Sequence, residues 1–298
     1  MDFSAVGKKI KELRKQAGLS QGELAEGICT QAQISKIEKG DVYPYASTLY
    51  LISQKLGVDV NYFFDIGMTP RLDYVEEVFN QLKLARRNMN YEDIRDIVKV
   101  EEKNPLFLQN NKNYQILLWH KAIYEYEMKK NVDKALSLLD EAISLTKSSE
   151  KLYSEREIEL LLTRGVFYFE EKRYAEALAA YKDALHHLKV LPFLNDKSIR
   201  ARLFYNTARV LTRLLKYEES IQYCYDAIKW CLREDHLYLL AELHYQLGYN
   251  LELLGNYTEA KNYLSKALFL FELQKNYRFT AFIKQKLKSW EIEDQIHS

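Results

Sequence analysis

The sequence predicts an all-α protein in which a five-helix N-terminal domain precedes an α-solenoid of repeated helix pairs. Only 4 of the 298 residues are proline, and 7 of the 10 glycines fall in the first 67 residues, where they separate short helices. After Pro70, small and aromatic residues recur at intervals of about 40 residues. Gly67 and Pro70 follow the aromatic cluster Tyr62 to Phe64. We therefore expect a domain at 1–66, a linker at 67–71 and a repeat domain at 72–298.

Composition excludes several classes of protein before any motif is considered. Charged residues make up 29% of the chain and the net charge is +1, so any nucleic-acid contact must come from a local surface. Residues 1–15 lack the apolar core of a secretion signal, and no apolar run approaches the length of a membrane span. We expect a cytoplasmic protein with no membrane partner.

The three cysteines, Cys29, Cys224 and Cys231, form no CxxC pair. An odd number of cysteines in such a chain indicates reduced thiols, so we expect no disulfide, no zinc or other metal site and no cofactor. Cys224 and Cys231 lie two helical turns apart, and we interpret them as small core residues.

The N-terminal helices are predicted from apolar spacing near 5–17, 20–28, 31–39, 47–56 and 59–65. Ser20, Thr30 and Ser47 are the expected N-caps. Eight apolar residues at helical spacing form the expected core: Ile10, Leu13, Leu19, Leu24, Ala25, Ile28, Ile34 and Ile37. Helix 31–39 is then free to project its polar side, which is either an ordinary solvated face or a surface for base edges and phosphates.

Each repeat unit has a small residue, a Tyr nine positions later, a small residue at twelve and an Ala at nineteen. Three units carry this pattern: Gly165, Tyr174, Ala177 and Ala184; Ala208, Tyr217, Ser220 and Ala227; Gly248, Tyr257, Ala260 and Ala267. An earlier unit fits around Trp119, Ile123, Ala135 and Ala142, and a degenerate first unit fits around Leu82, Tyr91 and Ile94. The small residues let the first helix of a pair approach the second, and the aromatic residues fill the space between pairs.

These residues, with Tyr168 and Tyr181, resemble the tetratricopeptide repeat, although the spacing exceeds that family's usual length and implies longer helices. We expect about five helix pairs, and residues 276–290 are predicted to form a closing helix over the last pair.

The N-terminal segment from Ile10 to Phe64 resembles the helix-turn-helix of phage repressors and Xre-type regulators, which implies a lambda-repressor-like domain. In that family the second helix of the motif enters the major groove of DNA. By position, Gln31, Ala32 and Lys36 match base-facing residues and Gln21 matches a phosphate contact. The predicted DNA-binding set is Gln21, Thr30, Gln31, Ala32, Gln33, Ser35, Lys36 and Lys39. Arg14 and Glu38 match an intradomain ion pair with a structural role.

The charge of this segment indicates how it would bind DNA. Residues 1–66 contain eight basic and eight acidic residues. A neutral module binds DNA weakly alone, so we expect a homodimer on a two-fold symmetric double-stranded operator.

The turn of the motif is one residue shorter than in the phage repressors. Cys29 stands near the position of their turn glycine, and a Cys at positive φ would cost about 1–2 kcal/mol. We therefore predict a rebuilt turn in which Gly27 takes the bend and Thr30 caps the next helix.

The phrase "EGICT…ISKIEKG", followed by long-period repeats, resembles the PlcR-like transcription regulators of the peptide-responsive Rap–NprR–PlcR–PrgX quorum-sensing group. This resemblance spans essentially the whole chain and implies a short signalling peptide as ligand.

The first helix of each pair is expected to line a concave groove. Positions at fixed offsets from the small anchors, with Arg202 and Arg213, give the predicted peptide-binding set: Asn80, Lys83, Lys121, Tyr124, Arg202, Tyr205, Asn206, Arg209, Arg213, Tyr245, Gln246 and Tyr249. Asn206 lies at the position where similar repeat proteins hold peptide backbone, and the three arginines suggest an anionic ligand group. Alternatively, the arginines are solvated or pair with Glu159, Glu242 and Glu252.

Two functions remain open from the sequence. In the first, the protein is a dimeric, sequence-specific transcription regulator whose repeats sense a short peptide and alter DNA binding. In the second, the repeats are a protein-docking scaffold. An enzyme is not expected, because no HExxH, P-loop, GxSxG or paired-carboxylate pattern is present, and His186 and His187 point apart on a helix.

Overall fold

The computed structural model describes residues 2–69, 71–147 and 151–297, with side chains described through residue 290. All regular structure in these residues is helical, which confirms the predicted all-α class. Contacts between residues divide the chain into two compact units, residues 1–130 and residues 131–298.

The first unit holds nine helices within its described residues. They are α1 (Phe3–Gln16), α2 (Gln21–Ala25), α3 (Gln31–Lys39), α4 (Ala46–Leu56), α5 (Val60–Met68), α6 (Leu72–Arg87), α7 (Tyr91–Glu101), α8 (Pro105–Leu108) and α9 (Asn111–Lys129).

The second unit holds eight helices within its described residues. They are α10 (Val132–Thr146), α11 (Glu155–Glu170), α12 (Tyr174–Val190), α13 (Ser198–Arg213), α14 (Tyr217–Arg233), α15 (Leu240–Leu253), α16 (Tyr257–Leu273) and α17 (Tyr277–His297). The closing helix predicted at 276–290 is the first part of α17.

The five N-terminal helices share one apolar core. Its fully buried members include Ile10, Leu24, Ile34, Ile52 and Phe63. Helix α1 packs on α3 at Gly7, where a Cβ would collide with the backbone carbonyl of Ile37. The absence of a side chain at this position therefore fixes how closely α3 lies against α1.

Two of the three predicted N-caps are confirmed. The Ser20 hydroxyl accepts from the Glu23 amide within a capping box, and the Thr30 hydroxyl accepts from the Gln33 amide at 3.2 Å. The predicted cap at Ser47 is wrong, because α4 already begins at Ala46, and Tyr45 occupies the cap position with extended backbone and no side-chain cap bond.

The small anchors of the repeats lie where first and second helices meet. A Cβ at Gly165 would overlap the ring of Tyr181, and a Cβ at Gly248 would lie 2.9 Å from Leu264 Cγ. Ala208, Ala227 and the other alanines of the pattern in α12, α14 and α16 are fully buried. The packing role predicted for these residues is confirmed in the second unit.

A polar network that the sequence pattern did not predict links α13, α14 and α15. Asn250 donates through Nδ2 to Ser220 Oγ at 2.8 Å, and Thr212 Oγ1 lies 2.7 Å from Asn250 Oδ1. Ser220 in turn donates to the carbonyl of Ala208 at 2.7 Å. Thr212, Ser220 and Asn250 are buried, and these mutual bonds satisfy their side chains.

The cysteines have no disulfide partner, and both Cys224 and Cys231 lie in the apolar core of the second unit. Burial raises the pKa of the Cys231 thiol to about 11, which keeps it protonated. The interpretation of Cys224 and Cys231 as core residues is confirmed. Among the described helices, none combines the length and apolarity needed to cross a bilayer.

Candidate nucleic-acid interface and ligand face

The turn before α3 has the rebuilt geometry that the sequence predicted. Gly27 has a φ of 77°, a left-handed value that glycine adopts without strain, and a Cβ there would meet open space. Cys29 is half-buried, and its amide donates to the carbonyl of Ala25 at 2.9 Å. The bend therefore falls at Gly27, and Thr30 starts α3 as its N-cap.

Helix α3 buries one side and presents the other to solvent. Ile34, Ile37 and Glu38 are buried. The exposed residues are four members of the predicted DNA-binding set: Gln31, Ala32, Lys36 and Lys39. These four recur on one side of the helix, with the half-buried Ser35 between them, whereas the half-buried Gln33 lies at the edge. Among the described residues, no ion pair involves Lys36 or Lys39, so both ammonium groups are available to phosphates.

A buried ion pair holds α3 to α1. The Arg14 guanidinium donates to both carboxylate oxygens of Glu38, at 2.5 Å and 3.0 Å, and also to the carbonyl of Leu19. Burial alone would raise the pKa of Glu38, but the hydrogen bonds from Arg14 and Gln21 outweigh it and hold that pKa below its usual range. The ion pair implied by the resemblance is thus present.

Gln21 is held within the domain. Its side-chain amide donates to Glu38 Oε2 at 2.9 Å, which adds a third donor to the buried carboxylate. This bond fixes the start of α2 against α3. It leaves the second N–H of the Gln21 side-chain amide as a donor for a phosphate.

In the second unit, α13 contacts both α11 and α15. We use "ligand face" for the following polar and aromatic residues of these three helices: Glu159, Arg202, Tyr205, Asn206, Arg209, Arg213, Glu242, Tyr245, Gln246, Tyr249 and Glu252. All of them except Arg213 and Gln246 are half-buried.

The three arginines of α13 that belong to the predicted peptide-binding set have different surroundings. Arg202 pairs with Glu159 at 2.5 Å, which is the ion-pair alternative that the sequence left open. Arg209 lies 4.4 Å above the ring of Phe169 and donates to Asn206 Oδ1 at 3.4 Å. Arg213 is exposed and makes no ion pair with a described residue. Arg209 and Arg213 are therefore the arginines open to an anionic ligand group.

The amides of the ligand face also differ. Gln246 is buried and donates to Thr212 Oγ1 at 2.7 Å, so its amide nitrogen belongs to the polar network. Asn206 accepts from Arg209 through Oδ1, and no described residue accepts from its Nδ2. Asn206 can therefore donate to a peptide carbonyl, in keeping with its predicted role.

Aromatic rings close the end of the ligand face near α17. Tyr245 stacks on Tyr249 at 6.2 Å between centroids and meets the edges of Phe279 and Phe282. Burial raises the pKa of Tyr245 to about 12. Glu252 pairs with Lys286 at 2.6 Å. These rings offer apolar contact area beside the polar groups of α13.

The predicted peptide-binding residues of the first unit lie on α6 and α9. Asn80 and Lys83 are exposed on α6, whereas Lys121 pairs with Glu102 at 2.7 Å. Tyr124 is only 3% exposed, and Lys129 lies over its ring. Tyr124 is thus a packing residue of this unit.

Histidines and acidic residues do not gather into a metal-binding group anywhere in the described part of the chain. His187 stacks on Tyr153 at 3.8 Å, and His120 contacts the carbonyl of Ile116 at 2.8 Å. Both histidine side chains pack within their own units.

Comparison with protein families gives two matches. Residues 10–63 match the helix-turn-helix family model, and residues 79–290 match the model of the RNPP family C-terminal domain. The second match covers most of the chain.

Among curated relatives, the transcriptional activator NprA of Geobacillus stearothermophilus is 27% identical over 76% of this chain and 52% of its own length. The HTH-type transcriptional regulator PuuR of Escherichia coli is 39% identical over 26% of this chain and 41% of its own length. The chain thus spans about half the length, or less, of these curated relatives.

Solved structures share the fold over nearly the full chain. PlcR of Bacillus thuringiensis, solved in complex with the peptide PapR7 and DNA, has a TM-score of 0.84 at 23% identity and covers 94% of this chain and 99% of its own. ComR of Streptococcus thermophilus, solved with DNA and its signalling peptide ComS, has a TM-score of 0.64 at 16% identity and covers 95% and 99% of the two chains.

Proposed function

Because this chain belongs to the RNPP family, we propose that it is a sequence-specific DNA-binding transcription regulator whose repeat domain senses a short signalling peptide. The observation that carries the proposal is α3, which a capped turn and a buried ion pair hold with Gln31, Ala32, Lys36 and Lys39 exposed on one side. NprA and PuuR are named as transcription regulators, and PlcR and ComR were solved with both peptide and DNA.

In this proposal α3 enters the major groove. The amide of Gln31 hydrogen-bonds base edges, the methyl of Ala32 contacts a thymine methyl, and Lys36 and Lys39 neutralise phosphates or meet guanine. The first 66 residues have no net charge, so a homodimer on a two-fold operator supplies the affinity that one domain lacks.

The ligand face is the proposed peptide site. Asn206 donates to the peptide backbone, Arg209 and Arg213 bind a carboxylate of the peptide, and Tyr205, Tyr245 and Tyr249 take its apolar side chains. The ion pair of Arg202 with Glu159 makes that arginine part of the framework around the site.

The DNA-binding proposal is tested with Lys36→Ala. We expect it to weaken binding of the selected operator at least about tenfold and to reduce the slope of log affinity against log salt by about 1 if Lys36 contacts a phosphate. The operator is first selected from random duplexes with the full chain, and affinity is measured by fluorescence anisotropy. Lys103→Ala, which removes an exposed lysine outside the N-terminal helices, is the matched control and should bind normally. Equal operator affinity of Lys36→Ala, Lys103→Ala and the wild-type chain would contradict the assignment of α3 as the helix that contacts the bases.

The peptide-sensing proposal is tested with Asn206→Ala. Peptides are selected from a random heptapeptide library on the full chain, and single peptides are then titrated by calorimetry. We expect Asn206→Ala to weaken binding by about 5- to 20-fold, because one peptide carbonyl loses its donor in a partly buried site. Asn262→Ala, an exposed position on α16, is the control. If no peptide binds the wild-type chain, the repeats are better explained as a protein-docking scaffold.

A further inference from the structure

Three charged residues occupy the same place in three successive repeats. Glu159, Arg202 and Glu242 each lie six residues before the small anchor of their unit, which is Gly165, Ala208 and Gly248. They are carried by α11, α13 and α15, and α13 contacts both of the others. One arginine therefore stands between two carboxylates across the ligand face.

Arg202 forms an ion pair with only one of the two carboxylates, that of Glu159. Arg202 Nη2 lies 2.5 Å from Glu159 Oε1, and its Nε donates to the carbonyl of Ser198 at 3.4 Å. On the other side of α13, Glu242 forms no ion pair with any described residue. Its Oε2 is buried and accepts no hydrogen bond from the described residues.

Among the acidic residues of the ligand face, Glu242 alone forms no ion pair with a described residue. Glu159 is paired with Arg202, and Glu252 lies 2.6 Å from Lys286 Nζ. Burial raises the pKa of Glu242, and this effect outweighs the opposing hydrogen bond from its own backbone amide. The same carboxylate adds to the raised pKa of the Tyr205 phenol, whose main cause is burial and which the Arg209 guanidinium opposes. Glu242 therefore lies close to Tyr205, a residue of the proposed peptide site.

An unpartnered carboxylate oxygen in a partly buried site costs free energy in the ligand-free protein. A ligand that brings a cation to it recovers that cost and gains a charge-assisted hydrogen bond. A ligand without a cation leaves the carboxylate unpaired and is disfavoured, so the same group both attracts and discriminates.

We propose that Glu242 binds an ammonium group of the peptide and thereby selects peptides that carry one at this place. This inference rests on the proposed function, since it assigns the charge of the ligand in the same site. The ammonium belongs either to the peptide's amino terminus or to a lysine side chain, and the carboxylate recognises both in the same way.

The test uses the full chain and the peptides selected from the heptapeptide library. Each peptide is made in its original form, with an acetylated amino terminus, and with every lysine replaced by norleucine. Dissociation constants are measured by calorimetry for the wild-type chain, Glu242→Gln and the control Glu218→Gln, an exposed position on α14. Acetylation tests the amino terminus as the source of the ammonium, and norleucine tests the side chain.

In the wild-type chain and in Glu218→Gln, we expect one of the two modifications to weaken binding about tenfold or more. In Glu242→Gln, the ratio of the dissociation constants of the modified and the original peptide should fall to near 1. The peptide lacking the ammonium should bind Glu242→Gln and the wild-type chain about equally. Wild-type ratios near 1 in both arms, or a ratio that survives in Glu242→Gln, would overturn the inference and leave peptide sensing intact. Failure of every peptide to bind the wild-type chain would remove the proposed function and this inference with it.

Discussion

Single residues with buried charge determine how the N-terminal domain responds to pH. Arg14 is 8% exposed and Glu38 is 5% exposed, and their ion pair joins α1 to α3. Because the pKa of Glu38 lies below its usual 4.5 in the folded protein, its ionised form stabilises the fold. That contribution is complete above the unfolded-state pKa and is lost as the pH falls through the folded-state pKa.

We therefore predict that Arg14→Met destabilises the N-terminal domain by about 3–5 kcal/mol at pH 7, because Glu38 is left charged and buried. The double variant Arg14→Met/Glu38→Leu should recover most of this loss, since neither charge remains. Hydrogen exchange of the α1 and α3 amides, measured from pH 7 down to below pH 4.5, reports the local stability. The difference between Arg14→Met and wild type should shrink toward the acid end. A constant difference across that range would show that the ion pair is not its source.

Pairs of helices depend on the small anchors where their axes come closest. Gly165 on α11 faces the ring of Tyr181 on α12, and Tyr181 is only 1% exposed. A buried ring has little room to move, so the glycine sets the distance between the two helices. The repeat pattern is thus a packing pattern, and the residues that differ between units at other offsets are free to form a site.

Gly165→Ala is expected to lower the unfolding free energy by about 1–3 kcal/mol, because the added methyl overlaps a ring that cannot yield. Gly22→Ala on α2 provides the contrast, since a Cβ there would come no closer than 3.8 Å to the Ser20 hydroxyl. That substitution should be neutral or stabilise by about 0.5–1 kcal/mol. Urea unfolding followed by circular dichroism measures both. Equal midpoints for wild type and Gly165→Ala would contradict the packing argument.

At the scale of the whole molecule, the proposed DNA-reading side chains lie in the first compact unit, and the ligand face lies in the second. If a peptide bound to the second unit alters DNA affinity, the two binding events share a coupling free energy. That energy acts equally in both directions, so the operator must change peptide affinity by the same factor. Linkage therefore gives a test that needs no assumption about how the two units are arranged.

We predict that saturating peptide changes operator affinity by about 5- to 150-fold, and that saturating operator changes peptide affinity by the same factor. Fluorescence anisotropy with labelled operator and with labelled peptide measures the two sides of this cycle. Asn206→Ala should shift the peptide concentration at which the change occurs without altering operator affinity in the absence of peptide. Saturable peptide binding with unchanged operator affinity would separate the peptide site from DNA binding.

Sequence patterns determined the all-α class, the rebuilt turn and the repeat anchors, because each depends on local chemistry. Helical spacing, the tolerance of Gly27 for positive φ and the size of Gly165 can all be recognised from neighbouring positions. Caps were predicted correctly at Ser20 and Thr30, whose hydroxyls accept from backbone amides, and wrongly at Ser47, because Tyr45 holds the cap position of α4 without a side-chain cap bond.

The tertiary structure alone decided which polar side chains are already paired. Arg202 is neutralised by a carboxylate 43 positions earlier in the chain, and Gln246 is drawn into a network by Thr212, 34 positions away. No local pattern specifies such bonds, because they depend on which helices stack and at what register. For the same reason, only the folded chain shows that Glu242 Oε2 is buried without a hydrogen bond from a described residue, although Glu242 shares its repeat position with Glu159 and Arg202.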